Sequence, residues 1–117
     1  MMKTMMSAIV VCTGLAVAAP ALAQSEKARV CATNGLVAGA VQQARLDGVA
    51  KRKVRETVAA ANPDLSENVL AIVPQFADAI YGMKKRDLRQ INMRTVIEEQ
   101  CVANWEQIKA TRNSITN

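Results

Sequence analysis

The chain contains no histidine and only three aromatic side chains, Phe76, Tyr81 and Trp105. The lack of histidine removes the usual neutral-pH general base and the commonest metal ligand. Catalysis would fall to carboxylates alone, which must converge in pairs on one site. The one adjacent acidic pair outside a turn, Glu98-Glu99, lies about 100° apart around a helix and reads as solvated surface. The composition therefore predicts a protein that is not an enzyme and uses neither a metal nor another cofactor. Sparse aromatics also leave no stacking platforms among the cations, which argues against nucleic acid as a partner. Calcium is excluded in the same way. Asp64, Ser66 and Asn68 alternate as in a cation loop, but the glycine and glutamate such a loop needs are replaced by Val69 and Gln75.

A long apolar run occurs once. Lys3 precedes Met5–Ala19, a stretch free of charged side chains; Pro20 and the small-residue triplet Ala21-Leu22-Ala23 follow. That order is the secretory pattern, with cleavage after Ala23 and a mature chain opening at Gln24. Its 15 apolar residues fall about five short of the roughly 20 that span a bilayer. A lipoprotein reading fails because Val11, not a small residue, precedes Cys12. The expectation is a cleaved signal peptide over residues 1–23, a single domain over 24–117 without a transmembrane anchor, and a periplasmic or secreted location. Loss of Lys3 takes the formal charge from +5 to +4, a mild basic bias that favours anionic surfaces.

Of three cysteines, Cys31 and Cys101 survive cleavage. An even count in a small exported domain points to a disulfide, against two free thiols or an intermolecular bridge. Such a bond would close a loop of 71 residues, for which chain entropy gives about 4 kcal/mol.

What is abundant is alanine in helical patterns, and the fold class predicted is all-α, a small bundle of four to five helices. Val30, Val37, Val41 and Ala44 make a stripe on a first helix from a Ser25 cap to about Leu46, with Gly48 as its stop. Asn34 and Gly35 interrupt that helix, as a close helix approach or a weak point would. A short second helix covers about Ala50–Ala61 and ends at Asn62-Pro63. Asp64-Leu65-Ser66-Glu67 has capping-box spacing for a third, kinked or divided near Pro74 and ended by Gly82. A last helix starts between Asp87 and Asn92 and carries Leu88, Ile91, Ile97, Cys101, Trp105 and Ile108; residues 110–117 form a fraying tail. Tyr81 and Trp105 lie on apolar stripes and read as core.

The most suggestive surface features are two cation clusters, Lys51, Arg52, Lys53 and Arg55, and Lys84, Lys85, Arg86 and Arg89. The second suits the C-terminus of the preceding helix. The first falls in an opening turn, where positive charge is unfavourable, with only an Arg52–Glu56 pair to relieve it. That cost hints at an anionic partner: anionic lipid, lipopolysaccharide or an acidic protein.

Cys31, Ala44-Arg45-Leu46-Asp47-Gly48, Ile80-Tyr81 and Cys101 together form a pattern that resembles a group of small secreted bacterial helical proteins of unknown function. The likeness covers about 70 residues and implies the disulfide and the helical fold, but no activity. Trp105-Glu106-Gln107-Ile108-Lys109, following the second cysteine, is similar to the C-terminal segment of periplasmic acid-stress chaperones. That second likeness implies conditional chaperone activity as an alternative to simple binding.

Overall fold

The computed structural model describes residues 18–116, with side chains from Glu26 to Thr111. The charged start and most of the apolar run of the expected signal peptide, Cys12 included, lie outside the described residues. Helix α1 spans Ala18–Leu46; a 3-10 turn, Lys51–Lys53, leads into α2, Val54–Ala61. Then follow α3, Glu67–Leu70; α4, Val73–Tyr81; α5, Lys85–Leu88; α6, Met93–Ala103; and α7, Trp105–Thr116. Among the described residues there is no strand, and five of the helices run eight residues or more. The all-α fold of four to five helices closed by one disulfide is what the chain adopts; α3 and α5 are single turns added to it.

α1 begins seven residues earlier than the Ser25 cap predicted, because Ala18–Ala23 is rich in the strongest helix former. Pro20 does not break it: in an opening turn its missing N–H costs no intrahelical bond. The other end is as read. Gly48 takes φ +81°, its N–H donates to the Arg45 carbonyl and that of Val49 to Ala44. This is the Schellman arrangement, which satisfies carbonyls the helix leaves open.

The principal core gathers Val37, Val41 and Ala44 of α1 with Val54 and Val58 of α2, Val73, Ala77 and Ile80 of α4, and Leu88 of α5. Leu70 of α3 completes one end. No polar or charged residue is buried among the described residues. α6 lies along α1 where Gly35 and Gly39 leave room. A Cβ at Gly35 would sit 2.7 Å from the Arg94 carbonyl oxygen and 3.1 Å from Glu98 Cβ. The interruption at Asn34-Gly35 is thus a close helix approach and not a weak point.

Two further boundaries differ from the sequence expectation, the cap of α3 and the course of the last helix, while the division at Pro74 is as read. Ser66, not Asp64, caps α3, its hydroxyl accepting from the Val69 N–H at 3.3 Å. Position Asp64 lies in a turn two residues too early to reach those amides. Pro74 splits the third segment into α3 and α4 and occupies the first turn of α4, where it is tolerated. The last helix is three elements. α5 ends at Leu88, and Asn92 caps α6 by accepting from the Thr95 N–H at 3.2 Å. Asn104 then interrupts the run, its side-chain amide bonded back to the Gln100 carbonyl at 2.8 Å, a local competition typical of asparagine. The α7 backbone is helical to Thr116.

Candidate functional site

Cys31 and Cys101 are bonded, with an S–S distance of 2.04 Å and Cα atoms 5.3 Å apart. The bond ties α1 to α6, the penultimate helix. Trp105, one turn beyond Cys101, covers it, and Val30 and Ile108 close this second small core. Trp105 is therefore core, as read. Tyr81 is half-buried; its hydroxyl donates to the Val49 carbonyl at 2.7 Å. Burial pushes its phenol above the ordinary value of 10.0, while the Arg45 guanidinium, 5.4 Å from the ring centre, pulls the other way. Arg45 also donates to the Met83 carbonyl. The Ala44–Gly48 turn and the Ile80-Tyr81 pair thus meet in space, holding the α1 terminus against the end of α4.

The first cation cluster occupies the surface that this contact steadies. Lys51, Arg52 and Lys53 form the 3-10 turn, and Arg55 opens α2; all four are exposed. The expected Arg52–Glu56 relief does not form among the described residues. Relief comes instead from distant acids brought near by the fold: Lys51 pairs with Asp78 of α4 at 2.6 Å and Arg55 with Glu67 of α3 at 2.8 Å. A sequence-local search cannot see either partner. Arg52 and Lys53 carry no ion pair among the described residues. Beside this cluster runs a groove of about 500 Å³ lined by Lys51, Arg52 and Arg55 together with exposed Pro74 and the buried residues Val54, Val73 and Ala77. Asp78 is the one acid on it.

The second cluster sits past Gly82, at the end of α4, and at the same time opens α5: Lys84 is its N-cap residue, Lys85 and Arg86 its first turn. Cations there suit the end of α4 and oppose the start of α5. Arg86 lies 3.8 Å from Asp87, while Lys84, Lys85 and Arg89 have no ion pair among the described residues. Among the described residues, no hydrogen bond or ion pair joins the two clusters. Ala21, Ala23 and Gln24, the residues of the expected cleavage site, fall within the backbone span of α1, and their side chains lie outside those described.

Sequence reasoning missed Gln42. From the middle of α1 its amide donates to the Leu88 and Ile91 carbonyls at 2.8 and 2.6 Å, and its oxygen accepts from the Met93 N–H at 3.0 Å. One side chain thereby closes the α5–α6 connection, satisfying a terminal donor of α6 from outside that helix. A polar residue on the edge of an apolar stripe was its only signal. No group of three or more metal-ligating side chains gathers among the described residues, and no helix there is long and apolar enough to cross a membrane.

Fold and surface together define a disulfide-closed, all-α domain bearing a groove with a cationic wall. Comparison with protein-family models, with curated proteins and with solved structures finds no match to this chain.

Proposed function

We propose that this chain is exported and acts, without catalysis, by binding an anionic envelope partner through its cation clusters. Export is supported by the sequence order of Lys3, the Met5–Ala19 run and Ala21-Leu22-Ala23, and by a disulfide, a bond that persists in oxidising compartments. The observation that carries the binding reading is the exposure of Arg52 and Lys53, with no acid on either among the described residues, on a turn whose neighbours Lys51 and Arg55 are paired. Each cation near an anionic leaflet contributes about 1 kcal/mol, and the attraction fades within a Debye length, about 10 Å at 0.1 M salt.

Binding of the purified protein to vesicles of anionic and of neutral phospholipid, across a salt series, tests this. Binding confined to the anionic vesicles and falling steeply with salt is the expected result. Equal binding to both, or binding indifferent to salt, would refute the electrostatic role.

A further inference from the structure

A second recess lies between the middle of α1, the end of α2 and the link from α5 to α6. Its volume of about 490 Å³ is on the scale of small-ligand sites. Its apolar lining is accessible, since Leu36, Ala40, Leu46 and Ile91 are each half-buried. Leu36 and Ile91 pack against neither core among the described residues, so their exposed faces are open to an occupant. Gln42 fixes one edge of the recess through its bonds to Leu88, Ile91 and Met93.

The polar groups on the lining keep unused bonding capacity. Arg94 is the one charged residue there, and it has no ion pair or side-chain hydrogen bond among the described residues. Its stem is seated on α1: a Cβ at Gly39 would stand 3.1 Å from Arg94 Cβ and 3.8 Å from its Cγ. Asn92 accepts the Thr95 N–H with its oxygen and keeps its Nδ2 as a donor. Gln43 and Asn62 do the opposite. Their amide nitrogens donate to Asp47 and to the Val58 carbonyl, which leaves both side-chain oxygens as acceptors.

These groups together select the occupant. It brings an anion to Arg94 and Asn92, an N–H donor to Gln43 and Asn62, and an apolar group to Leu36 and Ile91. A carboxylate matches the guanidinium fork with two parallel bonds. No acid lines the recess among the described residues, so a free ammonium would enter without a counter-charge, and a neutral amide suits the two acceptors better. We propose that this recess binds the free carboxyl end of a peptide whose last residue is apolar. The carboxylate lies at Arg94, the last side chain covers Leu36 and Ile91, and its amide N–H faces Gln43 and Asn62. Capture of a chain-terminal carboxylate is a recurring mode of peptide recognition. No lining residue belongs to either cation cluster, so this site is independent of the electrostatic reading above.

Calorimetric titration of the purified protein with acetyl-alanyl-leucine tests it, against the C-terminal amide of that peptide, acetyl-alanyl-glycine and free leucine. Saturable one-to-one binding of acetyl-alanyl-leucine is expected. The amide should bind about tenfold more weakly, having lost its charge-assisted bonds to Arg94. The glycine peptide should also bind about tenfold more weakly, because it leaves Leu36 and Ile91 uncovered. Arg94→Gln should erase the preference for acid over amide and keep that for leucine over glycine. Leu36→Asn should do the reverse. General disruption of the fold would not separate the two preferences in this way. An amide that binds as tightly as the acid, free leucine that binds as tightly as the capped peptide, or variants that leave both preferences intact would overturn the proposal. So would the absence of saturable binding.

Discussion

Replacing Gly35 with alanine should destabilise this protein, although the same change in an unhindered helix interior stabilises by about 1 kcal/mol. The added Cβ would lie 2.7 Å from the Arg94 carbonyl oxygen, a backbone atom, and 3.1 Å from Glu98 Cβ. Ordinary carbon–oxygen contacts are about 3.3–3.6 Å, so α6 would have to retreat by more than half an ångström. Two restraints oppose that retreat. The disulfide holds the Cα atoms of Cys31 and Cys101 at 5.3 Å one turn before Gly35, and Gln42 grips the start of α6 two turns after it. Overpacking of this kind costs about 1–3 kcal/mol, so the net loss after the helix-propensity gain is about 1 kcal/mol. In a domain of this size that lowers Tm by about 4–8 °C.

Gly39 is the internal control. Its Cβ would meet the Arg94 Cβ at 3.1 Å and no atom under 3.0 Å, so α6 need give only a few tenths of an ångström. The overpacking cost of about 1 kcal/mol is offset by the helix-propensity gain, and Gly39→Ala should lie within about 0.5 kcal/mol of the parent protein. Urea unfolding of the oxidised proteins, followed by helical circular dichroism, measures both. The loss at Gly35 should also shrink when the disulfide is absent, since one restraint on α6 is then gone, and a double-mutant cycle reads that coupling. A Gly35→Ala protein as stable as its parent, or a Gly39→Ala protein that is the worse of the two, would refute the close-approach argument.

Gln42→Leu should cost about 2 kcal/mol by stranding the Ile91 carbonyl and the Met93 N–H, while the Leu88 carbonyl keeps its bond from the Ile91 N–H. The urea midpoint reads the loss and faster amide exchange at Met93 locates it. Reduction of Cys31–Cys101 should lower unfolding stability by about 4 kcal/mol, with an intact mass rising by two hydrogens; an unchanged midpoint would mean that loop closure contributes nothing here. Tyr81 should impose a loss of stability at high pH. Its folded-state phenol titrates above the ordinary 10.0, so its contribution is complete below that value and vanishes as pH climbs through the raised one. Tyr81→Phe should cost about 1 kcal/mol at neutral pH through the stranded Val49 carbonyl and flatten the alkaline slope, as unfolding at pH 8 and pH 11 would show.

Much of the helical framework is legible residue by residue. The Val37–Val41–Ala44 stripe is the α1 core face, Gly48 stops that helix with a positive φ, and Pro74 divides the third segment in its own first turn. These are local matters: periodicity, backbone freedom and a missing N–H act over one or two turns. The disulfide was readable for a different reason: the expected loss of Cys12 with a signal peptide leaves two cysteines, and two permit a single internal pairing.

Other features depend on what the fold brings together. Ser66 displaced Asp64 as cap because only its hydroxyl reaches the Val69 amide. The Lys51–Asp78 and Arg55–Glu67 pairs join residues 27 and 12 positions apart, beyond any i, i+4 search. Gln42 gained its role when α5 and α6 delivered three backbone groups to it from about 50 residues away. The groove is likewise tertiary, since Val73, Pro74, Ala77 and Asp78 of α4 line it with the Lys51–Arg55 segment, which shares no sequence window with them. Sequence by itself determined the all-α class, the core face of α1 and its stop at Gly48, and the division at Pro74, because those outcomes follow from short-range sterics and periodicity. Tertiary structure alone decided which charges are neutralised and which stay open, because the Coulomb and hydrogen-bond partners that settle this are set by distance in space.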